Sequence, residues 1–463
     1  MDNRRTVAPD KTIIACCTPQ GAGAIALLRL AGPAAIAIAD AMAFLPGNKR
    51  LAMQTSHTIS FGSVITAEGK EIDQVLWLLM REPKTFTGFD TVEITCHNNP
   101  LIIQQIIELA LVAGAQPAGP GEFTQQAVVN GKIDLLQAEA IHDLIKAQSH
   151  QAAKQYLAQL GGTLSSWMHE LTEELLLILA WCNASFEFIE EEGAEFGIQI
   201  RQRLQLLQQK IATLLAQQPA KRHLQEGFRI ALVGTVNAGK SSLFNTLLQQ
   251  PRAIVTNIAG TTRDSIEAQL YTAEHRITLV DTAGLRTTDD IIEQQGIERS
   301  FHEAATADLL LLVIDSGAVI TPAQEEIYRR LIKEFGHKAL VVYNKSDIGC
   351  HTMPCIAWPT TALTVSSVTH DGIAELKKLI TEKLTALADA CTAPYLINER
   401  QYQALTIVQR EIAQLLTMTE AGFEYELVAI HLQEIIAELE QLTGKTVSEQ
   451  AMDKIFKEFC VGK

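Results

Sequence analysis

No apolar run in this 463-residue chain is long enough to cross a bilayer. The most hydrophobic stretch, Leu309–Ile314, is too short for that and reads as a buried strand. The segment around Arg4 and Arg5 lacks the apolar core of a secretory signal. No C-x-x-C pair occurs among the eight cysteines. Cys16 and Cys17 are adjacent, Cys350 and Cys355 lie five apart, and the others are scattered. The ligand spacing of a structural zinc site is therefore missing, which predicts reduced, mostly buried thiols in a cytoplasmic protein with no membrane attachment. Positive charge is also scarce, with 38 Lys and Arg against 53 Asp and Glu and a net charge of −15. That balance argues against a broad polyphosphate-binding surface, although a local basic patch could still hold RNA. An RNA-binding appendage of the ribosome-assembly kind is disfavoured too, because no GXXG loop with a basic flank is present.

What is present is enough apolar content, 47% against 20% charged residues, for about three globular domains. Residues 1–126 alternate short apolar runs with turn signals. Thr12–Cys17, Ala24–Leu30, His57–Ile65, Gln74–Met80 and Thr91–Cys96 read as strands, and Ala34–Ala43 and Leu101–Val112 as helices, which predicts an α+β domain with a mixed sheet. From about Ala127 the apolar spacing becomes helical over Glu139–Leu160, Ser165–Cys182 and Ile198–Leu215. The acidic run Glu187–Glu195 interrupts these helices as a solvated loop or helix end. After Gly227 the pattern is β-α-β-α, the signature of a doubly wound parallel sheet. From about Asp389 it is helical again, over Glu399–Met418 and Glu424–Leu442. The expected fold class is a multidomain α/β protein. An N-terminal α+β domain (1–126) precedes a helical bundle (127–224 and 387–463) split by an inserted Ras-like P-loop domain (225–386).

The inserted region carries the chemistry. The apolar segment Phe228–Val233 runs into Gly234-Thr-Val-Asn237-Ala238-Gly239-Lys240-Ser241, a G-x-x-x-x-G-K-S octapeptide followed by an apolar helix from Ser242. Its glycines let backbone N–H groups wrap a β-phosphate, Lys240 supplies positive charge, and the Ser241 hydroxyl can coordinate Mg²⁺. The companion motifs decide what nucleotide fits. Asp281-Thr282-Ala283-Gly284 follows the strand Arg276–Val280, which places Asp281 near the magnesium and the Gly284 N–H near a γ-phosphate. Thr261 and Thr262 lie between these motifs, where a switch threonine must reach Mg²⁺. Asn344-Lys345-Ser346-Asp347 follows the strand Ala339–Tyr343. Asp347 can accept two hydrogen bonds from guanine, a pair that adenine does not offer, so GTP is the expected substrate. Ser366-Ser367-Val368 can close over the base.

One expected part is missing: Leu285, not glutamine, follows Gly284, so the Ras-type residue that orients water is absent. Glu293, in the polar segment beyond, is the candidate replacement, or else a solvated helix residue. Arg263 and Arg286 are the possible arginine fingers, although surface arginines are the simpler reading.

Thr256-Asn257-Ile258-Ala259-Gly260-Thr261-Thr262-Arg263-Asp264 is more particular than a generic switch. With Asn237 and the terminal Cys460-Val-Gly-Lys463, it resembles the MnmE/TrmE family of tRNA-modification GTPases from about Lys11 to Lys463. The resemblance implies a homodimeric, K⁺-stimulated GTPase in which Asn237, Thr256, Ile258 and Thr261 hold the potassium ion and Glu293 orients water. It further implies a flavoprotein partner of the MnmG/GidA type. Together the two would install an aminomethyl or carboxymethylaminomethyl group at C5 of the tRNA wobble uridine. The one-carbon unit would come from 5,10-methylene-tetrahydrofolate, held by residues matching Arg29, Glu93, Lys132 and Lys463. Cys460 matches the family's C-x-G-K motif and reads either as a thiolate nucleophile or as a structural residue beside the folate.

The sequence departs from the family pattern near that same site. Cys96-His97-Asn98-Asn99-Pro100 stands where the family has G-H-G-G-P, and Ala22 and Gly119 replace arginines, while Pro120-Gly-Glu-Phe123 survives. Asparagine in place of glycine narrows backbone freedom. His97 reads as a packed or solvent-facing side chain rather than a base. A family member that switches with GTP but has lost folate is the alternative these changes raise.

Overall fold

The computed structural model describes residues 11–19, 21–185, 193–216, 227–235, 237–248, 266–272, 276–281, 301–349, 361–389, 394–421 and 425–462. The chain divides into two compact units, one of residues 1–145, 156–212 and 398–463, the other of residues 146–155 and 213–397.

The first unit contains a seven-stranded sheet with the order β3-β4-β5-β6-β2-β1-β7 among the described residues. Its strands are β1 (Ile13–Cys16), β2 (Ile25–Ala31), β3 (Ala43–Phe44), β4 (Thr58–Ile65), β5 (Glu71–Met80), β6 (Thr91–His97) and β7 (Gln116–Pro117). All pairings are antiparallel except β1 with β7, so the sheet is mixed. In β5 the residues Asp73, Val75, Trp77 and Leu79 are buried, and the alternate positions are not. This two-residue period turns one face toward a core of Leu28, Leu30, Val92, Ile94 and Trp77. Helices α1 (Ala35–Met42) and α2 (Pro100–Val112) cover that face. Helix α2 starts where it does because Asn99 Oδ1 accepts from Leu101 N at 2.9 Å and Pro100 occupies the first turn.

The helices of this unit include α3 (Glu122–Val129), α4 (Leu135–Lys146), α6 (Thr163–Ser185) and α7 (Gly193–Leu215), with α5 (His150–Leu160) preceding α6. The expected single stretch Glu139–Leu160 is two helices. Ser149 breaks it by capping α5, its Oγ accepting from Ala152 N at 3.1 Å. The segment Glu187–Glu195 lies in part outside the described residues. The C-terminal helices α11 (Glu399–Ala421), α12 (Tyr425–Thr443) and α13 (Glu449–Phe456) complete the unit. The two distant helical segments are joined by a buried ion pair. Glu139, 7% exposed, accepts from Arg400 at 2.7 and 2.8 Å and from Gln401 at 2.6 Å. Arg400 also donates to Leu442 O at 3.0 Å, so the buried carboxylate is compensated.

Among the described residues the second unit holds a six-stranded sheet with the order β13-β12-β11-β8-β10-β9. Here β8 is Phe228–Val233, β9 Ile266–Tyr271, β10 Arg276–Asp281, β11 Leu309–Asp315, β12 Ala339–Asn344 and β13 Ala362–Thr364. Every pairing is parallel except β9 with β10. The first six residues of β11 are all buried, as expected for a strand covered on both faces. Its helices among the described residues include α8 (Lys240–Leu248), α9 (Pro322–Phe335) and α10 (Ile373–Asp389). A capping box opens α9, with Thr321 and Gln324 satisfying each other's backbone and Pro322 in the first turn.

Candidate functional site: a phosphate loop and a charged pair

In the second unit, the C-terminal ends of β8, β10, β11 and β12 surround the loop that leads from β8 into α8. This is where open α/β sheets bind ligands, because the strand ends and the helix N-terminus together present backbone N–H groups. Lys240 is buried and folds back across the loop. Its Nζ donates to the carbonyl oxygens of Gly234 and Thr235 at 2.8 and 2.7 Å. Burial lowers its pKa, and the nearby negative charge of Asp281 partly offsets that effect. Asp281 is itself buried at the end of β10, beside Leu232 of β8.

Two glycines permit this closeness. A Cβ on Gly234 would lie 2.1 Å from Val313 O, and one on Gly239 would lie 2.2 Å from Asn344 Nδ2. Gly239 also has a φ of +86°, in the left-handed region where side chains are strained. Asn237 adopts a φ of 63° and is exposed; asparagine tolerates that conformation better than most residues. Ser241 and Ser242 are exposed at the start of α8.

Asn344 links the base motif to this loop. Its Nδ2 donates to Ala238 O at 3.1 Å, and its Oδ1 accepts from Ser367 N and Oγ at 3.2 and 2.9 Å. Lys345 takes a φ of 68° and pairs with Asp315 Oδ2 at 2.7 Å. Ser366 Oγ donates to Asp347 Oδ1 at 2.6 Å and accepts from Val368 N and Thr369 N. The exposed Asp347 carboxylate is thus anchored through one oxygen. The structure brings together Ala238, Gly239, Lys240, Asn344, Lys345, Asp347, Ser366 and Ser367. Residues 256–262, 282–284 and Glu293 lie outside the described residues.

The second constellation belongs to the first unit. Arg29 on β2 faces Glu93 on β6 in the strand register. Arg29 Nε and Nη2 donate to Glu93 Oε1 at 2.9 and 2.7 Å, with the side chains 21% and 14% exposed. The guanidinium carbon also lies 6.0 Å from the ring centre of Phe86 and 5.6 Å from that of Phe123. Lys132 reaches the same turn as Phe86. Its Nζ donates to Pro83 O, and a Cβ on Gly88 would lie 3.2 Å from its Cε. The C-terminal tail arrives from another side: Val461 bridges to Pro120, and Gly121 N donates to Cys460 O at 3.2 Å. Gly462 packs so tightly that a Cβ would lie 2.7 Å from Cys16 O. The charges of Arg29 and Glu93 both act on the neighbouring Cys17, whose thiol burial pushes up to about 11. Arg29 itself meets Glu93, Phe86 and Phe123, while Lys132 reaches the turn of Phe86 and the tail packs on Cys16. Cys460 is exposed, and Lys463 lies outside the described residues.

The unusual asparagines sit in ordinary geometry. Neither Asn98 nor Asn99 has a positive φ. Asn99 caps α2, and Asn98 Nδ2 donates to Gly21 O at 3.0 Å. His97 is solvent-facing, with Asp73 accepting from its backbone N at 2.9 Å and pairing with its Nδ1 at 2.7 Å. Gly119 N donates to Glu122 Oε2 at 2.7 Å, closing the turn before α3. Residue spacing did not reveal two further links at the nucleotide site. These are the Asp315–Lys345 pair and a hydrogen-bonded contact from Tyr328 to Thr235. Each joins residues from different elements.

Residues 12–132 match the family model of the GTP-binding protein TrmE N-terminus, and residues 135–460 match the MnmE helical domain. The chain is 36% identical to the tRNA modification GTPase MnmE of Geobacillus kaustophilus, over 98% of this chain and 99% of that one. It is 37% identical to the protein of the same name from Synechococcus sp. strain JA-3-3Ab, over the whole of both. Among solved structures, Era with MgGDPNP and a segment of 16S ribosomal RNA is 28% identical over 34% of this chain and 56% of that one. Its TM-score is 0.27, too low to add to the reading.

Proposed function

The chain belongs to the MnmE family of tRNA modification GTPases, and from that premise we propose that it hydrolyses GTP to time a modification made on tRNA. One arrangement carries the reading. Lys240 is held by two loop carbonyls beside Asp281, while Asn344 reaches back from the guanine motif to the same loop. The phosphates then lie against the backbone N–H groups from Asn237 to Ser241, at the positive end of α8. Asp347 accepts from guanine, and Ser366 through Val368 close over it. Ser241 and Thr262 would hold Mg²⁺, with the carboxylate of Asp281 supplying negative charge nearby. The ion's charge, when it is bound, stabilises negative charge developing on the phosphates.

The exposed side-chain amide of Asn237 presents an oxygen suited to a hard cation. With groups of Thr256, Ile258 and Thr261 it would hold K⁺, which supplies the positive charge an arginine finger provides elsewhere. Glu293 orients the attacking water. Two copies of the chain pair through their GTPase domains, so the working form is a homodimer. The Arg29–Glu93 pair offers a guanidinium and a carboxylate side by side, a donor set that fits the carboxylates and N–H groups of a reduced folate. Lys132 and Lys463 complete that set, and methylene-tetrahydrofolate supplies the one-carbon unit. An FAD-containing MnmG/GidA-type partner joins in forming the aminomethyl or carboxymethylaminomethyl group at C5 of the wobble uridine. The reaction is cytoplasmic.

The test is mass spectrometry of tRNA nucleosides from cells with and without the gene. A 5-aminomethyl-type uridine is lost on deletion and restored by the wild type but not by Asp281→Ala. Purified protein turns over GTP faster in K⁺ than in Na⁺. An unchanged nucleoside profile overturns the modification role, and equal rates in the two salts overturn the potassium site.

A further inference from the structure

Helix α9 carries none of the nucleotide motifs, yet it places one side chain against the phosphate loop. Tyr328 is 2% exposed, and its hydroxyl lies 3.0 Å from Thr235 Oγ1 and 3.2 Å from Thr235 N. It donates to the first and accepts from the second, so one phenol satisfies the backbone N–H and the hydroxyl of one loop residue. Burial raises the phenol's pKa, and the negative charge of Asp315 adds to the rise. The hydroxyl thus stays protonated and able to donate. Thr235 is also one of the two residues whose carbonyls hold Lys240 Nζ, at 2.7 Å.

From this chain of contacts we infer that Tyr328 is a positioning residue for the phosphate lysine: it fixes Thr235, and Thr235 fixes Lys240. The inference rests on reading this unit as a GTPase. Its physical basis is preorganisation. The loop is short, and Val236 separates Thr235 from the left-handed Asn237. A residue free to rotate at Thr235 would swing its carbonyl away from the lysine. Held in place, the ammonium meets the phosphates without first paying to order the loop. Asp315 touches the far end of the same arrangement through Lys345. Helix α9 and the end of β11 therefore brace the phosphate loop and the base motif respectively, from residues outside either one.

Tyr328→Phe removes the hydroxyl and keeps the buried ring, so the protein folds with its thermal midpoint nearly unchanged. Its affinity for a fluorescent GTP analogue drops about three- to tenfold, the effect of one lost hydrogen-bonding group. The deciding measurement repeats the substitution in a Lys240→Met background. Acting through the lysine, Tyr328→Phe costs little further affinity there, and the two changes are strongly non-additive. A purely structural tyrosine would give the same loss in both backgrounds, and no loss in the wild-type background would refute the contact's importance; either outcome overturns the inference. If the wild type itself binds no guanine nucleotide, the GTPase reading fails first and takes this inference with it.

Discussion

Lys240 finds its two carbonyl partners five and six residues away, whereas Arg29 finds Glu93 sixty-four residues away. The phosphate loop is a local device whose glycines, lysine and serine come as one octapeptide between a strand and a helix. The charged site of the first unit is a tertiary device. It draws on a cross-strand pair, a lysine from beyond α3 and a C-terminal tail packed on the neighbouring strand β1, all placed only once the sheet has formed. A local site tolerates little change at its glycines, lysine and serine, because each of these has one job. A dispersed site tolerates changes around it, as Asn98 and Asn99 do by taking up a hydrogen bond and a helix cap.

Breaking the local site has the largest expected effect. Gly239→Ala forces a Cβ into Asn344 Nδ2 at a φ of +86°. Strain and the displaced asparagine together cost about 4 kcal/mol, so GTP affinity falls on the order of a thousandfold, as read by isothermal titration. Reduced-folate binding by the same variant is unchanged, because the other site shares no residue with the loop.

Next in size is a difference in thiol chemistry within the dispersed site. Cys17 is raised from 9.0 to about 11, so at pH 8 it holds about a hundredfold less thiolate than an ordinary cysteine. Timed alkylation followed by peptide mass spectrometry finds the exposed Cys460 modified first and Cys17 far later. Raising the pH toward 11 narrows the gap. Equal rates at pH 8 would show that the tail does not cover Cys17.

Arg29→Ala removes a charged hydrogen-bonding group from the dispersed site, and reduced-folate binding weakens by roughly thirtyfold while GTP affinity holds. Equilibrium dialysis with a stable reduced folate checks this, and an unaltered dissociation constant would detach Arg29 from any folate. The smallest effect belongs to the tail. Gly462→Ala sets a Cβ 2.7 Å from Cys16 O at a φ of +94°. It loosens the last residues and weakens the same binding by about fivefold. A loss as large as that of Arg29→Ala would instead make the tail a principal part of the site.

Much of the fold was legible beforehand. The apolar runs read as strands at Gln74–Met80 and Leu309–Ile314 are β5 and β11, and β11 is the buried strand expected, whereas the one-sided burial of β5 is hidden by its unbroken apolar run. The break at Ser149 could have been read from its capping hydroxyl but was hidden by unbroken helical periodicity on either side. The short strands β3 and β7, two residues each, have no pattern long enough to detect. At the nucleotide site, Lys240, Asn344 and Asp347 stood out because backbone geometry dictates their spacing. Tyr328 and Asp315 did not, since a side chain that braces a loop from another helix or strand obeys no spacing rule.

Sequence alone determined the guanine-nucleotide motifs, the parallel sheet that carries them and the family resemblance, because these depend on periodicity and on residues close together in the chain. Only tertiary structure decided three things. Arg29 meets Glu93, the tail packs against Cys16, and Glu139 ties Arg400 across the interruption made by the second unit. Each joins positions tens to hundreds of residues apart. Nothing in local propensity selects such partners; they are chosen by the burial of the surfaces that carry them.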